Sequence, residues 1–269
     1  MKCGENMKIE VSVLASGSSG NALYISGGKT KILIDAGLSG REIDRRLKKI
    51  GVAGDDLNAI LVTHEHLDHI KGVGVLSRKY DLPIYANEPT WLGAEDRLGK
   101  VAEKNCRIFK GEFMIGDLGI SPFAIPHDAN EPVGFIISCG NKRIGQATDM
   151  GFVSPEVETS LKGLDLLVIE ANHDLEMLMS GTYPWPLKNR IHGRKGHLSN
   201  DDTADLLPRI ISDNFPRILL AHLSQDNNIP ALAYITVKNS LEDHGFTIGK
   251  DLLLDIAYRD RPTELFEVG

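Results

Sequence analysis

The segment THEHLDH at residues 63–69 places His64, His66, Asp68 and His69 within six positions, directly after the apolar run LNAILVT. Imidazole nitrogens and carboxylate oxygens are the usual ligands of zinc and similar first-row divalent cations. A loop leaving a sheet edge points alternate side chains at one spot, so His64 and His66 can share one ion while Asp68 and His69 face a neighbouring position. A second concentration of chemistry lies in PLKNRIHGRKGH (186–197), where Lys188, Arg190, Arg194 and Lys195 put four fixed positive charges into eight residues beside His192. Such a cluster either grips phosphates, because Arg forks onto their oxygens and both types neutralise their charge, or is a solvated loop. Tyr183 and Trp185 just upstream offer stacking faces for bases, or rigid packing against Pro184 and Pro186. The loop ASGSSGN (15–21) is either a plain hairpin turn or a cradle that aims backbone N–H groups and Asn21 at a phosphate.

Alternating and short apolar runs must position these side chains. IEVSVLAS (9–16), NALYIS (21–26) and KTKILIDAG (29–37) read as strands, with Gly27-Gly28 as a hairpin signal between the last two. Ser39 caps a helix over about 40–50 that Gly51 ends. LNAILVT (57–63) is a buried strand. A helix is expected from near His69 to Tyr80, a strand over 82–87 and a helix over 89–105. The middle is rich in strands (107–128, 132–140 and 141–149, the last two joined by a Gly140-Asn141 turn), and LDLLVIEAN (164–172) is a buried strand. A helix over 199–213 starts at a cap on Ser199 or Asn200; a strand over 216–224, a helix over 229–244 and a final strand over 251–260 follow. Strands and helices alternate in both halves, without an internal repeat, which favours one domain of two sheets with helices outside.

The composition, 42% hydrophobic and 25% charged, is that of a globular chain, and the net charge of −7 argues against a broadly basic nucleic-acid wrapper. Cys3, Cys106 and Cys139 are odd in number and far apart, which fits a reducing, cytoplasmic setting better than a disulfide framework. The apolar run from Leu164 to Ile169 is far short of the roughly 20 residues of a spanning helix. The N-terminal apolar stretch is likewise shorter than a signal-peptide core, and residues 1–6 read as a leader before a second possible start at Met7.

THEHLDH resembles the signature loop of the metallo-β-lactamase superfamily. That resemblance implies a four-layer αββα sandwich and further ligands supplied singly from later strand ends. His127 after SPFAIP, Asp149 in ATDM and His222 in LLAHLS stand in the expected order. By the same resemblance His64, His66 and His127 hold a first ion, Asp68, His69 and His222 a second, and Asp149 bridges them. The ions can be zinc, manganese or iron alike.

The metal loop alone does not choose among the reactions of the superfamily. GHLSN (196–200) is similar to a motif of its phosphodiesterase branch whose histidine, here His197, protonates the leaving oxygen. Glu170 in EANHD resembles the acidic residue that orients this histidine; otherwise it pairs with a local Arg or caps a turn. His173 of that motif either lines the site and binds substrate or is a loop histidine satisfied by a carbonyl. The set ASGSSGN, THEHLDHIKG, PHDA, TDMG, EANHD, GHLSN and AHLSQDNN resembles the YycJ/WalJ group of bacterial metallo-hydrolases over about residues 8–258. It implies a 5′ to 3′ exonuclease on double-stranded DNA, with Asp68 also accepting the proton of the attacking water. The alternatives are a phosphodiesterase for a nucleotide or cyclic phosphate, a lactone, thioester or β-lactam hydrolase, and a non-catalytic scaffold that keeps a metal.

Overall fold

The computed structural model describes residues 8–212, 214 and 216–268; the expected leader over residues 1–6 lies outside them. The N-terminal half runs β1 (Ile9–Ala15), β2 (Ala22–Gly27), β3 (Thr30–Ile34), α1 (Gly40–Lys49), β4 (Ala59–Leu61), α2 (Leu67–Ile70), α3 (Val73–Tyr80), β5 (Ile84–Ala86), α4 (Glu88–Leu98) and β6 (Cys106–Ile108). The second half runs β7 (Phe113–Ile115), β8 (Leu118–Ala124), β9 (Val133–Cys139), β10 (Lys142–Ala147), α5 (Pro155–Ser160), β11 (Leu166–Glu170), α6 (Leu175–Ser180), α7 (Trp185–His192), α8 (Asn200–Ile210), β12 (Arg217–Ala221), α9 (Pro230–Asp243), β13 (Leu253–Ile256) and β14 (Phe266–Val268).

The strands form two seven-stranded mixed sheets, ordered β14-β1-β2-β3-β4-β5-β6 and β13-β12-β11-β10-β9-β8-β7. Three apolar clusters fill the spaces between layers. Val11, Ile25 and Ile32 of the first sheet meet Phe135, Ile144 and Val168 of the second. Leu33 and Ile60 pack under Ile43 and Leu47 of α1 and Leu76 of α3. Ile169 and Leu220 pack under Leu207 of α8 and Val237 of α9. This is the αββα sandwich the sequence implied. It arises because each sheet buries both faces and each helix buries only one stripe.

Several boundaries differ from the sequence reading. The helix expected from His69 to Tyr80 is two, broken where the Gly72 N–H bonds to Ala36 O at 2.7 Å instead of continuing a helical ladder. The helix expected over 89–105 stops at Leu98, before Gly99 at φ 67°. The β2–β3 turn sits on Gly28-Lys29, one residue later than the Gly27-Gly28 signal. The strand at Leu253–Ile256 is not the last: β14 crosses back to the other sheet and pairs antiparallel with β1. The basic segment expected as a loop is mostly the helix α7. Ser199 does cap α8, in a reciprocal capping box with Asp202.

The topology decides where chemistry can occur. β10, β11 and β12 are mutually parallel, and β8 runs the same way because β9 is antiparallel to both β8 and β10. The C-terminal ends of β8, β10, β11 and β12 therefore share one edge, where open α/β sheets usually bind their ligands. In the other sheet β3 and β4 are parallel and deliver their C-terminal loops side by side.

Candidate metal centre and its cleft

The residues after β4 enter the metal loop and those after β3 hold it in place. Asp35 accepts hydrogen bonds from the Thr63 N–H at 2.9 Å and the Thr63 hydroxyl at 2.8 Å, and lies 2.7 Å from His69 Nδ1. Asn21 receives its N–H bond partner from the same loop: its backbone N–H donates to Asp68 O at 2.8 Å. Gly37 fills the contact, since a Cβ there would lie 1.6 Å from Asp68 O. The three chain segments after β1, β3 and β4 are thus locked backbone to backbone around His69.

Across the cleft, the ends of β8, β10 and β12 contribute His127, Asp149 and His222. The structure brings these side chains together with those of the metal loop in several overlapping sets. Ligand-capable atoms of His64, His66 and His127 lie within 4.8 Å of one another, as do those of Asp68, His69 and His222. Asp149 lies between the two, with Oδ2 3.4 Å from His69 Nε2, Oδ1 3.4 Å from His222 Nε2, and a ligand atom of His64 within 4.8 Å.

The imidazoles are oriented by their far nitrogens. Nδ1 of His64 lies 3.0 Å from the Thr63 hydroxyl, that of His69 2.7 Å from Asp35, that of His127 3.1 Å from Gly196 O, and that of His222 2.8 Å from Glu170. Each ring therefore turns Nε2 to the centre. His66 instead turns Nδ1 inward, 3.1 Å from His64 Nε2. Imidazoles tied at one nitrogen and free at the other are the arrangement of metal-ligating histidines. Among the described residues the buried Asp149 Oδ2 and His222 Nε2 find no hydrogen-bond partner, which is costly without a further partner between them. The residues present thus fit divalent cations.

Backbone and charge follow the same logic. Asp35, Asp149 and His222 have φ of 60°, 64° and 55°, a left-handed conformation that costs about 1–3 kcal/mol outside glycine. The surroundings hold it for His222: its N–H donates to Ser16 Oγ at 2.6 Å and its carbonyl accepts from Asn172 at 2.8 Å. Burial disfavours the charged form of His222, yet Asp149, Asp68 and Glu170 around it push its pKa up to about 10. His69 is raised well above its ordinary value in the same way: burial opposes it, and Asp149, Asp35 and Asp68 outweigh burial. Asp149 is held well below the carboxylate range, its burial outweighed by His222 and His69. The carboxylates that draw protons onto His222 and His69 also attract cations, whereas burial holds the pKa of His64 and His127 down.

Glu170, at the end of β11 and fully buried, lies 2.7 Å from His197 Nδ1 and 2.8 Å from His222 Nδ1 through Oε1, while Oε2 accepts from the Met150 and Leu198 N–H groups at 2.9 and 3.2 Å. Burial alone would raise its pKa; His197 and His222 more than offset it and hold it at about 2. With four donors on its two oxygens, Glu170 has little left for a cation and instead orients two histidines. His197 is one-fifth exposed, its ring 5.2 and 5.1 Å from those of His127 and His222, and it lines the cleft.

The cleft has a volume of about 280 Å³ and is lined by His66, Asp68, His127, Asp149 and His222 together with Tyr183, Leu187, Arg190, Ile191 and Lys195. The four expected phosphate-gripping residues divide. Arg190 and Lys195 line the cleft. Lys188 does not: it is buried, its ammonium donating to Met179 O at 2.6 Å and Gly181 O at 2.7 Å. Arg194 stacks over the Phe152 ring at 4.2 Å and is absent from the lining. His173 also stays out of the cleft: it is fully buried, neither ring nitrogen is hydrogen-bonded, and burial first of all draws its pKa down to about 4. Asn21 does not reach into the cleft; its amide nitrogen sits 3.4 Å from Asp68 Oδ2 and 3.1 Å from His69 Nε2, and Ser18 of the same loop lines the cleft. Asp35, Asp128 and Ser16 were missed. Only Asp35 left a trace in the sequence, an acid closing a buried apolar strand.

The role of Asp35 has a measurable consequence. Replacing it with asparagine, which tolerates its φ of 60°, removes the carboxylate that holds His69 and Thr63, and loss of such an outer partner weakens metal affinity about 10–100-fold. Titration of the apo variant with zinc or manganese should give a dissociation constant raised by that factor, at near-native circular dichroism; an unchanged constant would show that the metal loop holds its shape without Asp35.

A profile of the β-lactamase superfamily domain matches residues 30–222. The chain is 42% identical to the exodeoxyribonuclease YycJ of Bacillus anthracis, over 96% of this chain and 99% of that protein. It is 44% identical to the exodeoxyribonuclease WalJ of Streptococcus pneumoniae, over 96% of this chain and 97% of that one. Among solved structures it resembles the metallo-β-lactamase fold protein YhfI of Bacillus subtilis, with a TM-score of 0.70 over 97% of this chain and 99% of that one, at 15% identity.

Proposed function

The chain belongs to the β-lactamase superfamily, in the group of the YycJ and WalJ exodeoxyribonucleases, and on that footing we propose that it is a metal-dependent phosphodiester hydrolase that removes nucleotides from the ends of DNA. The observation that carries the reading is the Glu170–His197 pair at 2.7 Å, set at the rim of the His/Asp clusters. Hydrolysis of a lactone or thioester does not demand a buried carboxylate spent on a cleft-facing histidine. Expulsion of a sugar alkoxide, a poor leaving group, does.

Two divalent cations would be held by His64, His66 and His127 and by Asp68, His69 and His222, with Asp149 between them; in such a cradle cations lower the pKa of water and neutralise phosphoryl charge. The remaining chemistry belongs to side chains. Asp68, a quarter exposed and at the cleft, takes the proton from the attacking water. Water oxygen bonds to phosphorus as the bond to the departing sugar oxygen breaks. His197, held through Nδ1, donates from Nε2 to that oxygen. Arg190 and Lys195 attract the backbone of the substrate. The whole chain serves as one such hydrolase unit. Digestion from 5′ to 3′ on double strands is the polarity that the likeness to the group implies.

The test is a panel of end-labelled duplex DNA, single-stranded DNA, RNA and an aryl phosphodiester with metal-loaded protein. Linear duplex should be degraded from its ends fastest, and release of label fixes the polarity. With Arg190 and Lys195 as the two phosphate contacts, the logarithm of binding should fall with that of salt at a slope of about −1.8, roughly tenfold for a fourfold rise. Lys195→Gln should halve that slope. A flat salt response, or faster turnover of a free nucleotide diester than of DNA, would instead select the small-molecule reading.

A further inference from the structure

Resting on the DNA-end reading, we propose that one face of α7, formed by Leu187, Arg190 and Ile191, is the subsite for the departing terminal nucleotide. Leu187 and Ile191 lie one helical turn apart and form an apolar wall of the cleft. The cleft, about 280 Å³ and partly open to solvent, is at the low end of small-molecule sites, a size that suits one nucleotide unpaired from its duplex.

The wall and His197 are tied together through the backbone. The His197 N–H donates to Ile191 O at 2.8 Å, and the Gly196 N–H to Gly193 O at 2.8 Å. At Gly196 the chain passes so close to α7 that a Cβ would lie 2.0 Å from Ile191 O and 2.3 Å from Arg190 O. Beneath, the buried Lys188 ties α7 to the end of α6 through Met179 O and Gly181 O. A nucleoside packed on Leu187 and Ile191 therefore has its departing oxygen on the side of His197.

Arg190 supplies the anionic end of the subsite. Its Nε and Nη2 sit 2.7 and 2.6 Å from one oxygen of Asp128, next to His127. Its side chain is nevertheless 63% exposed. An exposed ion pair is weak, whereas a phosphate takes the guanidinium with two parallel bonds. The terminal phosphate of the bound nucleotide thus draws Arg190 from Asp128 as the nucleotide enters.

The experiment compares kcat/KM on one linear duplex carrying either 5′-phosphate or 5′-hydroxyl ends. The wild-type protein should prefer the phosphorylated end roughly tenfold or more. Arg190→Gln should bring that preference to within about twofold, and Arg190→Lys should restore part of it. Leu187→Ala/Ile191→Ala should raise KM for both ends about tenfold while keeping the preference. If wild type digests linear DNA but the end preference is absent, or survives Arg190→Gln, the subsite is wrong and the DNA reading stands. If wild type turns over only an aryl phosphodiester, both fall.

Discussion

Replacing His197 with alanine should cut DNA hydrolysis by about 10²–10⁴-fold while leaving the metal content of the protein unchanged. The expectation follows from the two ends of the ring. His197 does cluster with Asp149, Glu170 and His222, but its Nδ1 is committed to Glu170 at 2.7 Å and the ring faces the cleft. The leaving group supplies the control. A sugar alkoxide needs a proton as the bond breaks, whereas a nitrophenolate departs without one. The variant should therefore lose far less on a nitrophenyl phosphodiester than on DNA. Glu170→Gln should behave differently, because Glu170 also orients His222: it should weaken both turnover and metal binding. Equal losses for His197→Ala on both substrates, or a fall in its metal content, would make His197 a ligand and not the proton donor.

How far the sequence revealed the site depends on the range over which its signal acts. His64, His66, Asp68 and His69 were readable because four ligand types within one loop are a local pattern. Their register on the loop follows from the strand before them. His127, Asp149 and His222 carry no local signature; each resembles an ordinary turn residue, and only the likeness to a known family singled them out. Their convergence is a property of topology, since parallel β10, β11 and β12, with β8 running alongside, bring their C-terminal ends to one edge. The basic cluster was read by counting charges in a presumed loop. A helix distributes those charges by phase: Lys188 and Arg190, two residues apart, point to opposite sides of α7, so one ammonium is buried on carbonyls while the guanidinium stays at the cleft. Asp35 was overlooked because an acid closing a strand is a common turn signal. Its role appears only when β3 and β4 lie side by side. The strand β14 was lost for the same reason as the single ligands, since its partner β1 is some 250 positions away in the chain.

The largest effect should come from Asp149. It faces both groupings: its oxygens lie 3.4 Å from His69 Nε2 and 3.4 Å from His222 Nε2 of the one, a ligand atom of His64 from the other lies within 4.8 Å, and its buried Oδ2 has no hydrogen bond among the described residues. Asp149→Ala removes the one carboxylate that faces both sides, so DNA hydrolysis should drop to background and metal content should fall below that of the wild type in every preparation. The backbone offers a way to separate chemistry from folding. At φ 64° alanine is strained, whereas asparagine tolerates this conformation and keeps the shape of the side chain without its charge. Asp149→Asn should therefore melt near the wild-type temperature in chelator. Added zinc or manganese should then separate the two proteins. A ligand at a hundred times its dissociation constant stabilises the native state by about 2.7 kcal/mol, so the wild type should melt several degrees higher and the variant should hardly move. Protons compete with cations for the same nitrogens. His222, with its pKa near 10, and the likewise raised His69 give up protons as cations bind, so the metal-induced shift should shrink as pH is lowered from 8 to 6. A variant lacking the Asp149 carboxylate that still binds metal with wild-type affinity, and still melts higher in its presence, would mean that the two groupings do not act as one centre.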